Sequence, residues 1–251
     1  MEGSRYDRPV VHGRWGGTMS DSLTRASGIV FDLDGTLVDS TYVHTLCWWE
    51  ALQQFGHSRP MAAVHHTVGM GSDHLLHHLL GDSRERAQDP EITAAHDVLF
   101  GTWHERLHPL PAARVLLNWC RDAGLTVALA SSGGERDLWA MLEVLDHPDF
   151  DVIVTGDDVD STKPDPDVLG AVLERAGLEA DDVMVVGDSV WDMEAAARIG
   201  SVAIGVATGG TSAAELESAG AELTFQDLAA LLDALQDARP EPAPGVWGTR
   251  P

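Results

Sequence analysis

The sequence predicts a doubly wound α/β fold, a parallel sheet covered by helices on both faces, with a helical insert after the first strand. Two observations carry this. Short apolar runs alternate with segments of helical periodicity along most of the chain, the pattern of right-handed βαβ crossovers. One connection is too long for a crossover: about eighty residues separate Asp39 from the second apolar run, where one helix needs roughly a dozen or two. The chain has 251 residues and is 44% hydrophobic, enough for one large core and a smaller insert.

Taken in order, residues 1–26 are polar, rich in Gly and Arg and without periodicity, so they are read as a disordered arm. Apolar runs at 28–32, 125–130, 151–155, 183–187 and 202–206 predict five buried strands. Each run is nearly continuous because both faces of a parallel sheet are covered. Helical patterns lie at 111–123, 134–145, 165–177, 190–199, 212–219 and 226–237. The stretch 41–108 holds only helical patterns, at 42–55, 61–68, 73–80 and 91–107, and is expected to form a small bundle over one end of the sheet. The core is therefore 27–40 plus 109–237, followed by a proline-rich flexible tail at 238–251.

Charge and cysteine content exclude several classes. Forty acidic against sixteen basic residues give a net charge of −24, which repels phosphate backbones and anionic membranes. Only Cys47 and Cys120 are present, so there is neither a disulfide framework nor a cysteine zinc site, and free thiols suit a reducing compartment. No run of 18 apolar residues and no amino-terminal apolar segment occurs, so a cytoplasmic protein is expected. Lys163 is the only lysine among the sixteen basic residues. A general bias towards Arg explains the other fifteen; it leaves Lys163 as a position requiring a compact charge on a flexible stem.

Ligands of open α/β sheets bind beyond the carboxyl ends of the strands. Four of the five runs end in suitable chemistry. These ends are Asp32-Leu33-Asp34-Gly35-Thr36, Ser131-Ser132-Gly133-Gly134, Lys163-Pro164 after a short loop, and Gly187-Asp188-Ser189 with Asp192 beyond.

In these residues the chain resembles the haloacid dehalogenase superfamily. FDLDGTLVDS at 31–40, ALASS at 128–132, TKPDP at 162–166 and VVGDSVWD at 185–192 are similar to its four motifs in order, within 28–237. The insert resembles the helical cap of the phosphoglycolate-phosphatase and β-phosphoglucomutase branch. The resemblance implies a Rossmann-like core and a Mg²⁺-dependent phosphatase. Its substrate would be a small phosphorylated metabolite, phosphoglycolate or a sugar phosphate, and it would work as a monomer or small homo-oligomer. The alternatives are a phosphoglucomutase-like phosphotransferase and a catalytically idle binding protein on the same fold.

The residues admit the same chemistry. Asp32 is the expected nucleophile, forming an aspartyl-phosphate, and Asp34 the acid and base. Gly35 allows a tight turn. Asp32, Asp188 and the carbonyl of Asp34 form an all-oxygen site suited to Mg²⁺. Ser131, with the amides around Ser132 and Gly133, would bind phosphoryl oxygens, and Lys163 would offset their charge. Ser132 stands where the family more often has Asn. His44 stands where the resembling branch often has His, and is expected to orient Asp34, to assist the acid and base step, or simply to start a helix. Asp192 is expected either to support Lys163 or to complement a helix start. Arg59, Arg84, Arg86 and Arg106 are the insert's candidates for a second anion on the substrate. The Arg usual after the glycine loop of β-phosphoglucomutases is missing from Gly69-Met70-Gly71-Ser72, which weighs against a mutase. His74, His77 and His78 are read as a solvated face, and Trp48, Trp49 and Trp103 as bundle core.

Overall fold

Six parallel strands form one sheet in a computed structural model that describes residues 23–239. They are β1 (Gly28–Phe31), β2 (Thr126–Ala130), β3 (Val152–Val154), β4 (Val183–Gly187), β5 (Val202–Val206) and β6 (Leu223–Phe225), in the order β3-β2-β1-β4-β5-β6. In the insert lie α1 (Thr41–Gln54), α2 (Met61–His65), α3 (Ser72–Leu80) and α4 (Asp89–Gly101). The core helices are α5 (Ala113–Asp122), α6 (Glu135–Val144), α7 (Asp167–Ala176), α8 (Val190–Ile199), α9 (Ala213–Ser218) and α10 (Leu228–Ala238).

Alternation along each strand divides the core into two layers. Ile29, Phe31, Val127, Leu129, Met184 and Val186 pack towards one face with Leu116, Leu117, Leu231 and Leu235 of α5 and α10. Val30, Ala128, Ala130, Val183 and Val185 pack towards the other with Val168, Leu169 and Val172 of α7 and Met193 and Ala196 of α8. The insert has its own apolar centre, in which Trp48, Leu52, Val64, Leu75, Leu76 and Ile92 are buried. Its two ends are tied together at the neck. Asp39 N donates to His108 O at 3.0 Å and Leu110 N to Leu37 O at 2.9 Å, beside an antiparallel bridge between Val38 and Pro109.

Three features differ from expectation. The sheet has a sixth strand, β6, where only a connection was read; three residues on a sheet edge are too few to show a period. The helix expected over 91–107 stops at Gly101 and a short 3₁₀ turn, His104–Arg106, follows. The stretch 1–26 is not loose at its end. Residues 23–25 make a helical turn, and Leu23 and Ala26 are buried in the main core. Arg239, just after α10, holds them there by donating to Leu23 O at 2.6 Å and to Ala26 O. Two apolar side chains without a period give no signal in the sequence. The rest of that stretch, and the tail from 240 onwards, lie outside the described residues. No helix among the described residues is long and apolar enough to cross a membrane.

Arg239→Ala is therefore expected to lower stability by about 1–3 kcal/mol, the worth of charge-assisted hydrogen bonds to backbone, without loss of activity. Chemical denaturation followed by circular dichroism measures it, and an unchanged midpoint refutes it.

Candidate active site

The chain leaves β1 for β2 on one side and later crosses to β4 on the other, so β1 and β4 flank the point where the winding direction reverses. Asp32 and Asp188 directly follow these two neighbouring strands, and Asp32 N donates to Val186 O at 2.9 Å. Beyond Asp32 the chain turns sharply, with Leu37 N bonded to Leu33 O at 2.9 Å and Gly35 N to Val38 O at 2.8 Å. Gly35 has φ 78°, and a Cβ there would run into Thr41 Oγ1 and the Asp188 carboxylate. The turn aims Asp32 and Asp34 at one place.

Lys163 is 1% exposed, at the end of the loop that follows β3. Its Nζ lies 2.5 Å from Asp32 Oδ1 and 2.9 Å from Asp192 Oδ1, and donates to Ala130 O at 2.7 Å. Two acceptors take hydrogen bonds from the ammonium, and the Asp192 carboxylate faces it as an ion pair. Burial disfavours this charge, but Asp192 and Asp32 outweigh it and hold the lysine above its usual range. Asp192 faces two ways. Its Oδ2 accepts from Ser189 N at 3.1 Å and Ser189 Oγ at 2.5 Å, completing the capping box of α8, while Oδ1 faces Lys163.

Asp32, Asp188 and Asp192 are 5%, 3% and 1% exposed, and one oxygen of each lies within 4.8 Å of the others. Burial, with the neighbouring carboxylates adding, raises Asp32 and Asp188 above the ordinary carboxylate range; Lys163 opposes the shift at Asp32. Thr36 Oγ1 donates to Asp188 Oδ1 at 3.0 Å. Once ionised, three carboxylates around one ammonium would carry an excess of two negative charges in a buried, all-oxygen site. That charge and donor set fit a hard dication. Asp192 is already committed to Lys163 and the helix cap, so Asp32 and Asp188 are the side chains left to hold it.

Asp34 Oδ1 accepts from Ser40 Oγ at 2.5 Å and lies 2.9 Å from His44 Nε2. Burial works to raise this carboxyl, yet His44 and Ser40 prevail and lower it. Among the described residues no hydrogen bond reaches Oδ2. Ser131 is buried behind the strand end, and its Oγ accepts from Gly133 N at 3.1 Å. The Gly133 amide expected to meet phosphate is thus turned inward onto Ser131 in this structure.

A cavity of about 420 Å³ opens over this cluster. Asp32 and Asp34 line its floor, Ser132, Gly133 and Gly134 one side, and His44, Trp48, His96 and Asp97 of the insert another. Insert and core meet across it. Gly71 N donates to Thr162 Oγ1 at 3.0 Å, Thr162 Oγ1 to Asp73 Oδ1 at 2.6 Å, and Trp191 Nε1 to His66 O at 2.9 Å.

The insert arginines do not serve as expected, because none lines the cavity. Arg59 bonds Leu79 O and Ser58 O, Arg84 and Arg86 pair with Asp89 and Asp82, and Arg106 stacks on Trp103 at 4.0 Å. The arginine that does line it is Arg136, from the core helix α6. His74 meets Ser161 and Asp165, and His77 meets Asp82, so these rings share no ligand. Trp48 packs in the insert centre and also faces the cavity. Both thiols are buried, and burial pushes Cys47 up to about 11 and Cys120 to about 12. The sequence reading missed Thr36, Ser40, His96, Asp97 and Thr208, whose Oγ1 donates to Gly35 O at 2.5 Å. Thr36 and Ser40 stand inside the first motif; the other three carry no local signal.

Comparison with known proteins gives a consistent picture. The family model for haloacid dehalogenase-like hydrolases matches residues 26–200. A phosphoglycolate phosphatase of Pseudomonas putida is 31% identical over 227 residues, spanning 87% of this chain and 81% of the relative. The crystal structure of a hydrolase from Pseudomonas syringae matches with TM-score 0.80 at 33% identity, over 84% of this chain and 98% of that one. A β-phosphoglucomutase from Clostridium difficile shares the fold, with TM-score 0.69 at 16% identity over 84% of this chain and 98% of its own.

A Cβ at Gly209 would overlap Asp188 Oδ2. Gly209→Ala should therefore displace that carboxylate and weaken by about 10–100-fold any affinity the cluster has for Mg²⁺, the usual cost of disturbing the support of a metal ligand. Calorimetric Mg²⁺ titration of the two proteins tests this, and equal affinities would refute it.

Proposed function

This chain belongs to the haloacid dehalogenase-like hydrolases, and we propose that it is a Mg²⁺-dependent phosphatase of a small phosphorylated metabolite, acting through an aspartyl-phosphate. The observation that carries the reading is the 2.5 Å pairing of the only lysine with Asp32 on the floor of a cavity that Asp34 also lines. Lys163 fixes one oxygen of Asp32, leaving the other as the nucleophile. That oxygen attacks phosphorus, the ester P–O bond breaks, and Asp34 protonates the departing alcohol. Asp34, now a carboxylate, takes a proton from water, which attacks the aspartyl-phosphate, releases inorganic phosphate and restores Asp32. Lys163 offsets the charge that develops on the phosphoryl oxygens. The Ser131 hydroxyl and the amides of Ser132 and Gly133 bind those oxygens, Gly133 exchanging its bond to Ser131 for one to phosphate. Mg²⁺, which Asp32, Asp188 and the Asp34 carbonyl would hold, neutralises the repulsion between carboxylates and phosphate when bound. The insert acts as a lid that excludes water and contacts the leaving group.

Of the two substrate classes, the lining favours a hydroxyl-rich sugar phosphate over phosphoglycolate. Asp73, Asp97, Asp137, Asp157 and Asp160 surround the cavity and Arg136 is the one arginine in it. Carboxylates accept hydrogen bonds from hydroxyls and repel a second carboxylate. A mutase must also grip a second phosphate, and the insert turns no arginine towards the cavity. The buried, unpaired thiols accord with a cytoplasmic setting.

A panel of phosphate monoesters with Mg²⁺ tests the reading. Release of inorganic phosphate is expected, faster from sugar phosphates than from phosphoglycolate, and abolished by excess chelator. Isomer interconversion without phosphate release would instead establish a mutase. Asp32→Asn is expected to keep the fold and lower kcat by at least ~10³-fold, since it removes the nucleophile. A variant within tenfold of the parent would rule out the covalent route.

A further inference from the structure

The hydrogen bonds that begin at Asp34 do not end at His44. His44 Nδ1 lies 3.0 Å from His96 Nε2, and His96 Nδ1 lies 2.9 Å from Asp97 Oδ1. His96 and Asp97 stand on α4, 52 and 53 positions beyond His44, and the proposed reaction makes no use of them. The rings are tightly held. His96 is 5% exposed and stacks on Trp48 with centroids 4.0 Å apart, and His44 stacks on Phe100 at 3.8 Å.

The polarity of this chain is determined from its outer end. An ionised carboxylate only accepts, so Asp97 requires the proton of His96 to sit on Nδ1. Burial lowers His96 to about 4, so the ring is neutral and its Nε2 is a lone pair. His44 must then donate from Nδ1. Its Nε2 is left facing Asp34, 2.9 Å from Oδ1. Without Asp97, His96 is free to take the opposite tautomer, with its proton on Nε2. That proton would meet the one His44 Nδ1 donates, and the hydrogen bond that holds His44 against Asp34 would be lost.

Resting on the role of Asp34 set out above, we propose that His96 and Asp97 are positioning residues that act through His44 to hold the Asp34 carboxyl in place against the leaving group. The first half-reaction isolates the effect, because a poor leaving group needs the proton of Asp34 and a good one does not. Asp97→Ala and His96→Phe are to be compared with the parent in single-turnover transfer of phosphate to Asp32. The two substrates are an alkyl phosphate and p-nitrophenyl phosphate, each with Mg²⁺.

Each variant is expected to slow transfer from the alkyl ester by ~30-fold or more, a fraction of the 10²–10⁴-fold worth of general acid catalysis. Transfer from the nitrophenyl ester should fall less than ~3-fold. Asp97→Asn keeps an oxygen acceptor and should recover most of the loss. Equal slowing of both esters would indicate a merely structural role and overturn the assignment, as would unchanged rates. A parent enzyme that transfers phosphate from neither ester overturns the phosphatase reading itself, a distinct result. The Asp97 side chain is 40% exposed, so Asp97→Ala carries the test even if the buried His96→Phe fails to fold.

Discussion

The ammonium of Lys163 lies among carboxylates in a space closed to water, and much of the site depends on it. Asp32, Asp188 and Asp192 are nearly as buried as the lysine, and each would repel the others if the charge between them were removed. Like charges packed at this depth shift towards protonation unless a counter-charge holds them ionised. Lys163 opposes that shift at Asp32, and its own burial is tolerable only because Asp32, the Ala130 carbonyl and the Asp192 carboxylate meet it. One ammonium does not balance three ionised carboxylates, and a divalent cation would supply the remainder.

Helix α8 connects this cluster to the fold. Asp192 caps it through Ser189 while facing Lys163, so one side chain joins the stability of a core helix to the placement of the buried ammonium. The sheet supplies the other constraint. Parallel strands release their chain at the same edge, and the reversal of winding beside β1 keeps connections from crossing above Asp32 and Asp188. The crevice is a consequence of topology before any side chain is considered.

The insert closes that crevice from a neck only a few residues wide, with an apolar centre of its own. Its contribution to chemistry is asymmetric. One flank docks on the Thr162 loop and shapes the entrance, while the other brings His44, His96 and Asp97 to Asp34. The wall it presents is acidic and aromatic, and its arginines are spent on its own surface. Among the described residues the cavity wall offers hydrogen-bond acceptors and one arginine, Arg136 of the core.

What the sequence determined by itself was whatever is written locally. Five of six strands, the core helices and the division into sheet and insert follow from periodicity and run length, because burial on both faces demands continuous apolar stretches. The chemistry of Asp32, Asp34, Lys163, Asp188 and Asp192 was legible for a related reason: strand ends in such a sheet converge. Gly35 was legible too, from the turn its motif must make. Tertiary structure alone decided the rest. The three residues of β6 and the burial of Leu23 depend on neighbours far along the chain. Arg59, Arg84, Arg86 and Arg106 have the right charge for a substrate anion, yet local partners turn them away from the cavity. His96 and Asp97 show no pattern in one dimension, because a hydrogen bond between two helices is fixed by how the helices pack and not by the sequence spacing of the groups it joins.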